Sequence, residues 1–229
     1  MSRKLMYCIH SYRIFAVFAF ILVIVLSLLF VGAVGIAFRQ IGFSPYLTIM
    51  LLVATFAGSY INIPLFKLRT SVPILREDYI SFFGITFKIP QIDYEEFTTL
   101  VAVNLGGAVI PTVISIYLML RFPQIMPYAL AGMLLVATLT HLVARPVKGL
   151  GIVTPAFIPP LAAALAAYIL PSGIPAAVAY VSGVLGTLVG ADLLNMHQIP
   201  RLGAKIASIG GAGTFDGVFL SGIIAVLLV

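Results

Sequence analysis

The stretch Ile14-Phe-Ala-Val-Phe-Ala-Phe-Ile-Leu-Val-Ile-Val-Leu-Ser-Leu-Leu-Phe-Val-Gly-Ala-Val-Gly-Ile-Ala-Phe38 decides the class of fold. It carries no charge, and as a helix at ~1.5 Å per residue it reaches about 38 Å, enough to cross ~30 Å of hydrocarbon. Its basic flank, with Arg3, Lys4 and Arg13, has the sign of a signal peptide. The apolar run, however, is far longer than the roughly 7–15 residues of a cleavable signal core. A retained first helix is expected.

The rest of the chain agrees with a lipid solvent. Of 229 residues, 62% are hydrophobic and 9% charged, against roughly 25% charged in an ordinary soluble domain. So few charges could not cover a water-soluble fold of this size. Further apolar segments run over Pro45–Phe66, Phe97–Leu120, Pro127–Ala144, Pro155–Leu170, Ile174–Met196 and Ile209–Val229, most of them bounded by proline or glycine. The expected fold is therefore all-α: a polytopic transmembrane bundle of about seven helices forming a single membrane domain over 1–229. Its localisation would be the cell (plasma) membrane, multi-pass. The net charge of +6 then marks cytoplasmic loops and not a nucleic-acid partner. The lone Cys8 allows no internal disulfide.

Charge placement gives the orientation. With the N-terminus in the cytoplasm and the C-terminus outside, Arg3, Lys4, Arg13, Lys67, Arg69, Arg76, Lys88, Arg145, Lys148, Arg201 and Lys205 fall inside, and only Arg39 and Arg121 outside. Such an asymmetry is what the positive-inside rule requires. A cytoplasmic insertion over about 67–96 holds Glu77, Asp78, Asp93, Glu95 and Glu96. Its middle, Tyr79–Ile89, is rich in β-formers around Gly84, which suggests a short hairpin. The hairpin is either a surface connector or an edge that pairs with an extended peptide.

Outside that insertion only two of the seven acids remain, Asp192 and Asp216, both inside expected spans. A carboxylate in lipid costs ~2.5–3.5 kcal/mol on insertion scales and is a functional candidate by default; the plain alternative is a helix cap or an ion pair with Arg145 or Lys205. Counted along helical spans from their outer ends, Asp192, Asn62, His141 and Asp216 lie at about 27, 26, 21 and 20 Å. Asn104, counted from the inner end of its span, lies about 9–10 Å deep. The five would share one level in the cytoplasmic third and line a wet cavity opening inward. Ser208-Ile-Gly-Gly-Ala-Gly-Thr-Phe-Asp216 makes a poorly specified helix, and irregular backbone at membrane depth must be buried in protein or line a cavity. Gly211, Gly213 and Thr214 of this run are candidate binding positions. Ridges of small residues, Ser182/Gly186/Gly190 and Gly213/Gly217/Ser221, would let helices six and seven pack closely with both acids on one flank.

His141 and Arg145 share a helical face at i, i+4. A lone histidine is more often a packed, hydrogen-bonded residue, and no metal-ligand spacing surrounds it, so no metal and no cofactor are expected. Pro155, with Pro159 and Pro160, should loosen the entrance of helix five and free carbonyls.

Four motifs carry a resemblance over nearly the whole chain: Asn104-Leu-Gly-Gly-Ala-Val-Ile-Pro111, His141-Leu-Val-Ala-Arg-Pro146, Gly190-Ala-Asp-Leu-Leu-Asn195 and Gly210-Gly-Ala-Gly-Thr-Phe-Asp-Gly217. In these the chain is similar to an uncharacterised prokaryotic multi-pass membrane-protein family, a domain of unknown function. Asn195 enters the candidate set through the third. At motif level Gly190-Ala-Asp192 and Gly211-Ala-Gly-Thr-Phe-Asp216 also resemble, in partial form, the paired aspartate motifs of presenilin and signal-peptide-peptidase-type intramembrane aspartyl proteases. Pro155-Ala-Phe157 resembles their Pro-Ala-Leu element but precedes the acids instead of following them.

Three functions are expected from these features. In an intramembrane diaspartyl protease, one of Asp192 and Asp216 would activate a water and the other polarise the scissile carbonyl of a transmembrane or membrane-proximal peptide. In an ion- or proton-coupled transporter or channel, the same acids would hold a cation or relay a proton beside broken backbone. The third is a non-catalytic membrane scaffold. The partners implied are the lipid bilayer and, for the first, a transmembrane peptide, with oligomeric state left open.

Overall fold

The structure, a computed structural model, describes residues 2–82, 85–147, 151–202 and 204–229. The chain divides into two compact units, residues 1–52 and 53–229. In the first, α1 (Ser2–Gln40) is a helix of 39 residues, about 58 Å long. From Tyr12 to Leu29 its side chains are exposed on almost every side, and a helix apolar all round is made for lipid. It closes through Gly42: Phe43 N–H donates to the Phe38 carbonyl (3.0 Å) and Gly42 N–H to that of Arg39 (2.9 Å). The Phe38 and Phe43 rings meet edge to face at 5.7 Å across this turn, the apolar contact that accompanies such a stop. Ser44 and Pro45 then start α2 (Pro45–Gly58), with Leu47 N–H donating to Ser44 Oγ at 3.3 Å.

The second unit takes in the end of α2, from Val53, and continues into an antiparallel ribbon. β1 (Asn62–Phe82) pairs with β2 (Ile85–Asn104) from Asn62↔Asn104 to Phe82↔Ile85, with one irregularity between Pro64 and Phe66. At ~3.3 Å per residue each strand runs about 70 Å. A π-helical turn (Leu105–Val109) leads into α3 (Ile110–Arg121). α4 (Met126–Val143) ends in a small antiparallel pair, β3 (Arg145–Val147) with β4 (Gly151–Val153). Next come α5 (Ile158–Ile169) and α6 (Pro175–Thr187), and α6 continues as a π-helical turn over Leu188–Leu193. A 3₁₀ stretch (Met196–Leu202) leads to β5 (Ile206–Ile209), which adds parallel to β2. A glycine-rich turn then enters α7 (Gly217–Leu227). Proline in the first turn begins α3, α4, α5 and α6, where its missing N–H costs nothing. The core centres on α6, whose residues Ala177–Val184 are all buried among α4, α5 and α7.

The expectation of an all-α bundle is overturned: the fold is mixed α/β. Two expected spans are broken by strand, because Asn62–Phe66, after α2, belongs to β1 and Phe97–Asn104, before the π turn and α3, to β2. Among the described residues three helical stretches are long and apolar enough to cross a membrane: Tyr12–Gln40, Pro123–Val143 and Pro175–Leu193. That is the make-up of a membrane protein. α5 and α7, at 12 and 11 residues, reach about 17–18 Å, little over half the hydrocarbon. The seven-span topology, and the N-in, C-out orientation built on it, fall together. So does the shared depth of the polar residues, which assumed helices through Asn62, Asn104 and Asp216. The insertion is not a short hairpin either. Tyr79 does face Lys88, but within a ribbon of some twenty pairs; Gly84 and Lys148 lie outside the described residues.

The small-residue ridge of α6 has a different partner from the one expected. Ser182, Gly186 and Gly190 face α4: a Cβ on Gly132 would strike Ser182, one on Gly186 would strike Val136, and one on Gly190 would strike the Ala137 backbone. The face toward α7 is Gly183 and Thr187. Ser221 Oγ donates to the Gly183 carbonyl (2.7 Å) and lies 2.8 Å from Thr187 Oγ1.

Candidate functional site

A sizeable cavity, about 520 Å³, lies between β4, β5, the Gly210–Gly217 turn and the start of α7. Asp192 and Asp216 both line it, and no other charged side chain does among the described residues.

Asp192 reaches the cavity from the π-helical turn at the end of α6. A π turn inserts an extra residue and re-aims the side chains beyond it, a device frequent at functional sites. Asn195, 3% exposed, holds the turn: its Nδ2 donates to the carbonyls of Gly190 (2.9 Å) and Ala191 (3.0 Å), and its Oδ1 accepts from Gln198 Nε2 (2.9 Å). Leu194 N–H closes it onto the Val189 carbonyl at 2.9 Å. Asp192 itself is half-buried and has no hydrogen-bond partner among the described residues.

Asp216 is the N-cap of α7. Its Oδ1 accepts from Val218 N–H at 2.9 Å and its Oδ2 from Ala212 N–H at 3.4 Å. Two donors at a helix start are favourable for a carboxylate. The turn before it is held by Ser59 at the end of α2, whose Oγ accepts from Thr214 N–H (3.0 Å) and donates to the Thr55 carbonyl (2.8 Å). Gly213, at φ +63°, packs so closely on Ser59 that a Cβ there would overlap it. Both the angle and the contact require glycine.

Behind β5 lies a polar joint. Asn104, fully buried, caps its π turn by accepting from Gly107 N–H (2.8 Å), and its Nδ2 donates to the Ser59 carbonyl (2.8 Å) and to Asn62 Oδ1 (3.1 Å). Asn62 Oδ1 also accepts from Ser208 Oγ at 2.6 Å. Asn62 and Asn104 thus support the wall from behind, and neither lines the cavity.

The remaining candidates scatter. Gly211 lines the cavity, whereas Gly213 and Thr214 are buried in the turn. Pro155 lies between Thr154 and Ala156, which line the cavity, without lining it. His141 and Arg145 are exposed on the last turn of α4 and on β3, and neither lines the cavity. Asn195 positions its own turn. Among the described residues no three His, Cys, Asp or Glu side chains gather as metal ligands. Sequence reasoning missed Ser59, Ser208 and the β5 edge. A Gly58-Ser59 pair ending a helix, and a serine just before a glycine run, were the signals on hand.

No curated protein and no solved structure matches the chain. A family match covers residues 56–228, which takes in the ribbon, the cavity and both acids and leaves out α1. The chain belongs to the family described as protein of unknown function DUF1614.

Proposed function

We propose that this is a multi-pass membrane protein with a diaspartyl peptidase site, in which Asp192 and Asp216 hydrolyse a transmembrane or membrane-proximal peptide. One observation carries the reading: the two acids that the sequence keeps outside the ribbon face a single cavity that no described cation enters. One carboxylate takes a proton from water as its oxygen attacks the scissile carbonyl, and the other gives a proton to the carbonyl oxygen. Collapse of the tetrahedral carbon then breaks the C–N bond as the amine gains a proton. The chemistry is that of the presenilin-type proteases, whose aspartate motifs Gly190-Ala-Asp192 partly matches.

The test is cleavage of a transmembrane peptide reconstituted with the chain in proteoliposomes. Asp192→Asn and Asp216→Asn should each abolish it. Wild-type turnover in either variant ends the diaspartyl reading.

The second reading is a carrier of protons or cations. It is favoured by the irregular turn at Gly210 (φ +68°) and Gly213, which joins β5 to α7 beside the same acids. Proteoliposome flux that both Asn substitutions leave unchanged would remove these acids as its coupling site.

A further inference from the structure

We infer that the cavity receives its ligand as an extended, apolar and uncharged peptide segment, added as a strand to the outer edge of β5. The inference rests on the peptidase reading above and names the substrate class for that site.

Half of the backbone groups of β5 face away from β2. In a parallel pair each residue bonds to the neighbours of the residue opposite, so alternate residues turn their backbone groups to the partner strand. Leu100 pairs with Ile206, and Leu100 N–H donates to the Lys205 carbonyl at 2.9 Å. Lys205, Ala207 and Ile209 therefore serve β2, while Ile206 and Ser208 point their backbone groups the other way. The Ser208 carbonyl accepts from Gly211 N–H at 3.1 Å. The Ile206 N–H, the Ile206 carbonyl and the Ser208 N–H are left without a partner among the described residues. β5 ends its sheet, so no described strand of this chain covers that edge.

That edge is a cavity wall, since Ile206 to Ile209 all line it. β4 ends the other sheet, and its Gly151–Val153 lines the same space. An edge offering donors and acceptors two residues apart is complementary to the backbone of an extended peptide, and to little else. Four residues of edge extend about 13 Å, and about 520 Å³ lies in the range of sites that hold a ligand of this size. The remaining wall is apolar or small, with Ile152, Ile199, Phe215, Leu220 and Ile224 supplying its bulk. Without a cation on the wall, acidic side chains and phosphates are disfavoured; the two carboxylates meet the backbone instead.

The experiment uses the full chain in detergent carrying Asp192→Asn and Asp216→Asn, so that bound peptide is not turned over. The probe is a fluorescent peptide of alternating valine and leucine with lysine ends, followed by anisotropy. Single N-methyl groups walked along it should weaken binding about tenfold, the worth of one lost hydrogen bond, at every second position and little between. Ile206→Pro in the same background should weaken binding by a similar factor. It removes an edge N–H that β2 does not use, and proline is tolerated on an edge. Loss without a two-residue period, or equal binding of the same composition locked as a helix, overturns the inference. Periodic binding by a chain whose native form cleaves nothing sinks the peptidase reading alone. Cleavage by the native chain without periodicity sinks the strand alone.

Discussion

On the ribbon Asp93 sits 3.1 Å from Arg76, and Glu77 pairs with Lys88, all four side chains at least half exposed. In the cavity Asp192 and Asp216 share a space with no described cation on its wall. Both regions hold acids, but the ribbon keeps them where water screens them and a base lies across the strands. The cavity keeps them together on one wall, most of it formed by apolar side chains. Exposed pairs such as the first contribute ~0–1 kcal/mol. A pair of acids without a base is instead a cost, tolerated where it serves a purpose. The lesson is that the placement of charge, more than its amount, separates scaffold from site in this chain.

Substitutions at three positions would break or sharpen that contrast. The largest effect is expected on the cavity side, where backbone packs on backbone. A Cβ on Gly107 would overlap the Gly210 carbonyl and lie 2.8 Å from that of Gly213. Gly107→Ala should therefore cost about 3 kcal/mol, as severe overpacking does, read as a lowered unfolding midpoint in detergent. Native stability in that variant would mean the turn carrying Asp216 is not held as described. Next comes the cap: Asp216→Ala should lose ~1 kcal/mol, whereas Asp216→Asn, an equally good N-cap, should lose little. Equal unfolding midpoints for the two variants would dissociate Asp216 from capping; a stable but inactive Asn variant would separate capping from chemistry. The smallest effect belongs to the ribbon. Arg76→Ala should cost ~0.5 kcal/mol or less and nothing measurable at high salt, which screens an exposed pair. A larger, salt-insensitive loss would show that the ribbon's charges do more than sit in water.

The helices α1, α4 and α6 were legible because each is a long apolar run with a proline or a basic flank at its edge. The ribbon was not, and the reason is physical. Phe97-Thr-Thr-Leu-Val-Ala-Val-Asn104 is apolar enough to read as the start of a span, and hydropathy alone does not tell strand from helix. Its β-branched content, with Pro64, Pro73 and Pro90 upstream, was the better guide. β1 is an edge strand, and β2 is one except over Leu100–Val103, where β5 pairs with it, so the N–H each of these prolines lacks is tolerated. The isolation of the two acids in sequence drew notice to them, but the depth count and the helix packing argued for a shared cavity are not what brings them to one wall. The ridge expected to bind α7 binds α4, because an i, i+4 row says which residues share a face and nothing about what that face meets. Asn62 and Asn104 drew notice as polar residues in apolar runs. Their task of joining β1, the π turn and β5 depends on contacts up to 146 residues apart, which local pattern does not encode.

The register of the ribbon also sets an order of assembly. Phe82 and Ile85 are three residues apart in sequence, Asn62 and Asn104 forty-two. Loop closure grows costlier with length, so pairing from the tip inward is the order that costs least entropy, with the asparagines meeting last. A slip of one residue at the tip would turn every later side chain to the wrong face. Asn62 would then miss both Asn104 and Ser208, and β5 would lose its tether. The irregularity between Pro64 and Phe66, just before the clasp, is where a last error in count would have to be absorbed. The described pairs at the far end of the ribbon thus bear, through register alone, on a cavity wall that they do not line.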